Sequence, residues 1–162
     1  MIFCGTFAGN PYPWLAWARP FVFLLPVKSL PRWVRAPLMW GSGNPHRAPA
    51  NAQRAMAGVA GAVLRRRLAA ILAVDAVGCL EQIAIPALVL YGRRDRVIPH
   101  AATLSLIGHL PRAAVADIDG PHLLLQACAE ECSAAVLKFL AAPQVAGCAP
   151  PHRRDSAGEN AP

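Results

Sequence analysis

Asp95 and His122 are the two residues whose types and positions favour catalytic chemistry. Asp95 follows the apolar run 87–91, and His122 follows the apolar run 113–118. A carboxylate that accepts the Nδ1 proton of an imidazole fixes the tautomer of the ring and leaves Nε2 as a general base. Taken singly, Asp95 is equally well a turn former and His122 a solvated loop residue. Taken together after two consecutive strands, they favour an acid–histidine pair.

Strands and helices in alternation are predicted to position this pair. Residues 87–91 (ALVLY) are apolar at every position, as in a central parallel strand covered by helices on both faces. Residues 113–118 predict a second strand, and residues 100–109 and 123–140 predict helices. This order predicts a right-handed βαβ crossover and the α/β class. In open α/β sheets, functional residues collect at the carboxyl ends of the strands.

The first half of the chain predicts one strand followed by helices. Residues 1–7 (MIFCGTF) read as a buried strand, and the frequent prolines of residues 11–49 permit only short helices. Residues 51–74 carry the longest helical pattern, and Asp75 is a candidate N-cap for a short helix after it. Residues 143–162 lose all periodicity and are predicted to be a disordered tail.

A second group of candidates consists of apolar aromatic residues and one arginine. A role in substrate binding is one interpretation of each. The aromatic side chains either pack onto a neighbouring surface or line an apolar pocket. The arginines of residues 65–67 either lie along the helix surface, pair with a carboxylate, or face an anionic group or surface. The substrate-binding candidates are Trp14, Trp17, Phe21, Trp33 and Arg67.

Composition excludes several classes of function. The formal charge is +7, but the arginines are scattered without interleaved aromatic residues, so we expect no nucleic-acid partner. The 5 cysteines are an odd number without a Cys-x-x-Cys motif, which favours free thiols in a reducing cytoplasm over disulfides or a metal site. The longest apolar stretch, residues 21–27, is too short to span a membrane, so we expect no membrane-spanning segment, and a peripheral membrane contact stays an alternative.

Residues 85–140 resemble the C-terminal part of the α/β-hydrolase superfamily. The matching positions form a Pro-strand-Gly-x-x-Asp segment and a later Pro-His before the last helix: Pro86, Gly92, Asp95, Pro99, Pro121 and His122. The resemblance implies a partial α/β-hydrolase fold of about three mainly parallel strands. It implies that Asp95 is the triad acid and His122 the triad histidine. It also implies a core strand at residues 1–7, a helical cap with connecting helices at 8–80, and the C-terminal part of the core at 81–142.

The family's activity implies a serine hydrolase that acts on carboxylic esters or related acyl compounds, without a cofactor. The apolar character of the cap favours a small apolar acyl or ester substrate.

The nucleophile of such an enzyme belongs on a G-x-S-x-G elbow that precedes the acid and the histidine. The sequence contains no such motif; its serines are Ser29, Ser42, Ser105, Ser133 and Ser156. We therefore expect a truncated form with little activity alone. A companion chain, or self-association through an open sheet edge beside residues 1–7, could complete it. The alternative is a non-catalytic binding or interaction module.

Overall fold

The computed structural model describes residues 1–26 and 58–142. Its sheet consists of β1 (Ile2–Cys4), β2 (Ala87–Gly92) and β3 (Ala113–Ile118), all parallel and in the order β1-β2-β3. This confirms the α/β class. Strand β1 is shorter than the predicted strand 1–7, because Gly5 has a positive φ of 50° and turns the chain out of the sheet. The prediction that this strand is buried is wrong, since Ile2 is 44% exposed and no residue of 1–7 is fully buried.

Strand β2 forms the centre of the core, as its uninterrupted apolar sequence predicts. Its first residues are buried, with Val89 only 2% and Leu90 only 1% exposed. Because side chains alternate along a strand, Val89 and Leu90 face opposite sides of the sheet. Val89 packs in a cluster that includes Leu80 and Leu106. The register partners of Leu90, which are Cys4 and Ala116, pack in a second cluster around Leu124 and Cys132.

The structure has six helices within the described residues. They are α1 (Gly61–Ile71), α2 (Val77–Leu80), α3 (His100–Gly108), α4 (Leu124–Ala127), α5 (Ala129–Ala141), and a 3-10 helix (Pro13–Leu24). The helix pattern predicted over 51–74 is wrong at its start, because residues 59–60 are not helical and the regular helix covers 61–71. The prediction that each proline of 11–49 ends a helix is also wrong at Pro20, which lies inside the 3-10 helix. Within residues 1–26 and 58–142, no helix combines the length and apolar character needed to cross a bilayer.

The structure corrects two further predictions about helices. The single helix predicted over 123–140 is divided at Cys128, whose φ of −134° and ψ of 49° are not helical. Asp75 does not cap α2: the N-cap residue is Ala76, and no side chain caps it. Instead, the backbone of Asp75 forms an antiparallel bridge with Gly9, and this pairing holds it one residue too early to act as the cap.

The beginning and the end of the segment 8–80 are joined by hydrogen bonds. The amide of Ala76 donates to the carbonyl of Ala8 at 2.8 Å, and the side-chain amide of Asn10 donates to the carbonyl of Leu72 at 3.2 Å. The segment therefore leaves and rejoins the sheet at one place, beyond the end of β1. Residues 27–57, which include Trp33, and the predicted tail 143–162 lie outside the described residues.

Candidate active site

Asp95 lies in the loop after β2 and is held there by the backbone that follows it. Its Oδ1 accepts hydrogen bonds from the amides of Val97 at 2.7 Å and Ile98 at 2.9 Å. Its side chain is only 7% exposed. These contacts leave Oδ2 directed towards the neighbouring loop, where it meets His122.

His122 lies in the loop after β3, and its imidazole is the partner of Asp95. The distance from its Nδ1 to Oδ2 of Asp95 is 2.9 Å, and its side chain is 20% exposed. The two residues, which are 27 positions apart, therefore meet at the carboxyl edge of adjacent parallel strands. In this type of sheet, that edge is where ligands bind.

Backbone hydrogen bonds hold the two loops together beyond the ends of the strands. The amide of Arg93 donates to the carbonyl of Ile118 at 2.8 Å, and the amide of Arg94 donates to the carbonyl of Gly120 at 3.0 Å. Two exposed ion pairs lie beside these bonds, Arg93–Asp117 at 3.1 Å and Arg94–Asp119 at 2.9 Å. Exposed pairs of this kind add little stability, so the backbone bonds set the loop geometry.

Glycine is required at position 92, where the two loops come closest. A Cβ atom on Gly92 would lie 2.5 Å from the carbonyl oxygen of Gly120 and 2.8 Å from that of Pro121. A Cβ on Gly120 would lie 2.6 Å from a methyl of Leu124 and 2.8 Å from Sγ of Cys128. The break in the predicted helix at Cys128 lies beside this second contact. The loop of His122 is thus packed against backbone on one side and α4 on the other.

The electrostatics of the pair define which nitrogen can act as a base. Burial is the largest single influence on Asp95 and raises its pKa. The hydrogen bonds from His122, Ile98 and Val97, together with the charge of His122, outweigh burial and leave the pKa below its ordinary value. Asp95 is therefore an ionised acceptor at neutral pH, and Nδ1 of His122 carries the proton that it accepts. Nε2 is then the nitrogen available as a general base.

Among the described residues, no hydrogen bond or ring contact joins Trp14, Trp17, Phe21 or Arg67 to this pair. Trp14, Trp17 and Phe21 lie on the 3-10 helix and are 69%, 71% and 53% exposed. Arg67 is exposed on α1, and it is its neighbour Arg65 that donates to the carbonyl of Leu25 at the end of the 3-10 helix, at 3.5 Å. Trp33 lies outside the described residues. The substrate-binding role of all five predicted residues remains a prediction.

Two residues that contact the site were not predicted. Gly5 lies against His122, since a Cβ on it would be 3.4 Å from the carbonyl oxygen and 3.9 Å from Nδ1 of that residue. Tyr12 donates its hydroxyl to the carbonyl of Val97, in the loop that holds Asp95. The Asn10-Pro11-Tyr12 turn was a local signal, but nothing in the sequence identifies a contact over 85 positions.

Neither described serine lies on an elbow between a strand and a helix. Ser105 is inside α3 and Ser133 is inside α5, and both are exposed. Within residues 1–26 and 58–142, no group of three or more His, Cys, Asp or Glu side chains is arranged to hold a metal ion. Cys4, Cys79, Cys128 and Cys132 are free thiols.

Comparison with known proteins identifies the fold. No protein-family model and no curated protein sequence matches the chain. Among solved structures, a hydrolase from Pseudomonas aeruginosa PA01 superposes with a TM-score of 0.68 at 20% identity, covering 87% of this chain and 55% of that one. An α/β-hydrolase enzyme from a Medee basin deep-sea metagenome library gives 0.59 at 16% identity, covering 91% and 57%.

A third solved structure gives the same result. A putative non-heme bromoperoxidase from Mycobacterium tuberculosis H37Rv superposes with a TM-score of 0.62 at 19% identity, covering 86% of this chain and 56% of that one. The chain thus spans little more than half the length of the structures it matches. Its three parallel strands and flanking helices match part of the α/β-hydrolase fold.

Proposed function

We propose that this chain carries the acid and the histidine of a serine-type hydrolase that acts on carboxylic esters or related acyl compounds. The observation that carries the proposal is the 2.9 Å contact between Nδ1 of His122 and Oδ2 of Asp95, at the carboxyl ends of neighbouring parallel strands. The likeness in fold to a hydrolase and a bromoperoxidase supports it.

In the proposed reaction, Nε2 of His122 accepts the proton of a serine hydroxyl as that oxygen attacks the acyl carbonyl. The imidazolium then protonates the leaving group, and a water molecule activated by the same nitrogen hydrolyses the acyl-enzyme. Asp95 keeps the imidazole in the required tautomer and stabilises its positive charge. The reaction requires no cofactor.

The serine is proposed to lie on a segment that this sequence does not contain. The sequence has no G-x-S-x-G motif, and the superposed structures are almost twice as long as the part that the chain covers. That segment either precedes this sequence in a longer protein or belongs to a companion chain. The exposed Trp14, Trp17 and Phe21 support an apolar acyl substrate, because they offer aromatic surface to bind it.

The proposal is tested by joining the chain to its missing half. The DNA upstream of the codon for Met1 is read in all frames, and a segment with G-x-S-x-G between a predicted strand and helix is expressed together with this chain. We expect p-nitrophenyl butyrate hydrolysis and fluorophosphonate labelling by the pair and neither by the chain alone. His122→Ala should lower kcat by a factor on the order of 10³ or more, and Asp95→Asn by somewhat less.

Matched substitutions control for unrelated damage. His109→Ala removes the histidine that follows α3 and whose Nδ1 contacts the carbonyl of Ser105, and Asp75→Asn alters an exposed aspartate outside the loops of the pair. Both should leave the hydrolysis rate unchanged. The proposal is wrong if hydrolysis survives His122→Ala, or if the chain alone is labelled on a serine in a reaction that His122→Ala abolishes.

One observation favours the alternative of a non-catalytic binding module. The 3-10 helix exposes the large apolar side chains of Trp14, Trp17, Phe21 and Phe23, and exposed apolar clusters are typical of protein contact surfaces. Size-exclusion chromatography with light scattering separates the two functions. A discrete oligomer that forms without an upstream segment, and that Trp17→Ala dissociates, would favour the binding module.

A further inference from the structure

A series of hydrogen bonds connects Tyr12 to the imidazole of His122. The hydroxyl of Tyr12 donates to the carbonyl of Val97. The amide of Ile98 donates to Oδ1 of Asp95 at 2.9 Å, and Oδ2 of Asp95 accepts from Nδ1 of His122, also at 2.9 Å. The first two bonds share one peptide group, since the carbonyl of Val97 and the amide of Ile98 are its two ends.

A shared peptide group makes the two bonds interdependent. A donor on the carbonyl polarises the amide at the other end and makes that amide a better donor. It also fixes the plane of the peptide, and so the direction of the N–H that points at Asp95. The bond from Tyr12 therefore acts on Asp95 without touching it.

We propose that Tyr12 is a positioning residue, which holds the Val97–Ile98 peptide in the orientation that orders Asp95 for its contact with His122. Its catalytic meaning rests on the function proposed above, whereas its effect on the loop does not.

The position of Tyr12 in the fold supports this role. Its amide donates to Oδ1 of Asn10 at 2.8 Å, while the side chain of Asn10 donates to the carbonyl of Leu72. Its ring packs edge-on against Trp14, with 6.1 Å between ring centroids. Tyr12 thus connects the loop of Asp95 to the place where the segment 8–80 leaves and rejoins the sheet.

The charges around the hydroxyl keep it protonated. Burial raises the pKa of Tyr12, and the negative charge of Asp95 raises it further, so the phenol remains a donor across the physiological range. The loop also carries three arginines. Arg93 and Arg94 pair with Asp117 and Asp119, and Arg96 is exposed.

Tyr12→Phe tests the proposal in the full chain, because it removes the hydroxyl and keeps the ring. Two quantities are measured by NMR: the hydrogen-exchange rates of the Val97 and Ile98 amides, and the pKa of Asp95 from its carboxyl carbon. Losing one hydrogen bond should raise both exchange rates about fivefold. The pKa of Asp95 should rise, because a weaker Ile98 donor stabilises the carboxylate less.

The other tyrosine of the chain provides the matched control. Tyr91 contacts Asp117, which does not belong to the series, so Tyr91→Phe should leave both exchange rates and the pKa of Asp95 unchanged. Asn10→Ala is a second variant, which keeps the hydroxyl and removes the acceptor of the Tyr12 amide. It should raise the same two exchange rates by a smaller factor.

Three results would distinguish positioning from its alternatives. Unchanged exchange at Val97 and Ile98 in both Tyr12→Phe and Asn10→Ala overturns the proposal. An equal acceleration at these amides and at Leu90 in β2 also overturns it, because it shows a loss of global stability only. Faster exchange confined to the Val97 and Ile98 amides, together with a higher pKa of Asp95, supports the positioning role of Tyr12. This holds even if the chain expressed with its upstream segment has no hydrolase activity.

Discussion

Two regions of the molecule differ in how firmly their side chains are held. One is the pair of strand ends that carries Asp95 and His122, and the other is the 3-10 helix that carries Trp14 and Trp17. In the first region, backbone groups hold the side chains in place. Two amides donate hydrogen bonds to Oδ1 of Asp95, and glycine allows the backbones of the two loops to come into contact. The second presents large aromatic side chains that are about 70% exposed, at 69% for Trp14 and 71% for Trp17. Two regions of one small chain thus differ in how much surrounding structure specifies them.

The difference indicates which part of the site is already complete. An acid–histidine pair functions only at one geometry, so its ordering must be built into the fold. An apolar contact surface tolerates several arrangements and gains its free energy when a substrate or partner covers it. The described residues therefore contain an Asp95–His122 pair whose geometry the fold fixes and an aromatic surface that the fold leaves exposed.

We expect Gly92→Ala to destabilise the protein most, because it disrupts the backbone contact that holds Asp95 and His122 in place. The new Cβ would lie 2.5 Å from the carbonyl oxygen of Gly120, so β2 and the loop of His122 must separate. We expect the free energy of unfolding to fall by about 3 kcal/mol, measured by urea denaturation. The NMR signals of the Asp95 and His122 side chains should shift with it.

Gly78→Ala is the matched control for that substitution. A Cβ on Gly78 meets nothing within 4 Å, and this glycine lies inside α2. Alanine there should raise the free energy of unfolding by up to about 1 kcal/mol. If Gly92→Ala proves as harmless as Gly78→Ala, close backbone contact does not order the site.

Asp95→Asn should have the next largest effect, and that effect should depend on pH. The folded protein holds the pKa of Asp95 below its unfolded value, so the unfolded chain binds the proton more readily. The carboxylate therefore stabilises the fold at neutral pH, and this contribution is lost as the pH falls below about 4 and through the folded pKa.

At pH 7 we expect Asp95→Asn to lower the free energy of unfolding by about 2 kcal/mol, because its side chain is only 7% exposed and bonded at both oxygens. The difference from the unmodified chain should shrink below about pH 4, as the carboxyl is protonated in both states. Denaturation curves at several pH values measure this. A difference that stays constant with pH would mean that the charge of Asp95 contributes nothing.

The sheet and the contact between Asp95 and His122 could both be predicted from the sequence, because both follow from the pattern of apolar strands. Apolar runs such as residues 87–91 mark buried strands, and parallel strands place their carboxyl ends at one edge. Those two rules place Asp95 next to His122 without any knowledge of side-chain contacts. Both rules are local or topological, which is why a single sequence is enough to apply them.

The parts that could not be predicted depend on contacts between distant backbone segments. The turn at Gly5 and the contact of Tyr12 with Val97 involve segments that are distant in sequence and that the pairing of β1 with β2 brings together. The break at Cys128 replaces a helical pattern that the sequence supports, where Sγ of Cys128 packs beside Gly120. Tertiary packing overrides local propensity at each of these places.

Trp17→Ala should have the smallest effect on stability and so tests the other half of the comparison. Its side chain is 71% exposed, and we expect the free energy of unfolding to change by no more than about 0.5 kcal/mol. Leu106→Ala, at a side chain that is 1% exposed in the core beside β2, should lower the free energy of unfolding by about 3 kcal/mol under the same conditions.

Binding of an apolar fluorescent dye should show the reverse order, because Trp17→Ala removes exposed aromatic surface, whereas Leu106→Ala, measured where it remains folded, does not. If Trp17→Ala destabilises the chain as much as Leu106→Ala, the aromatic surface is part of the folded core and has no free capacity to bind a substrate or partner.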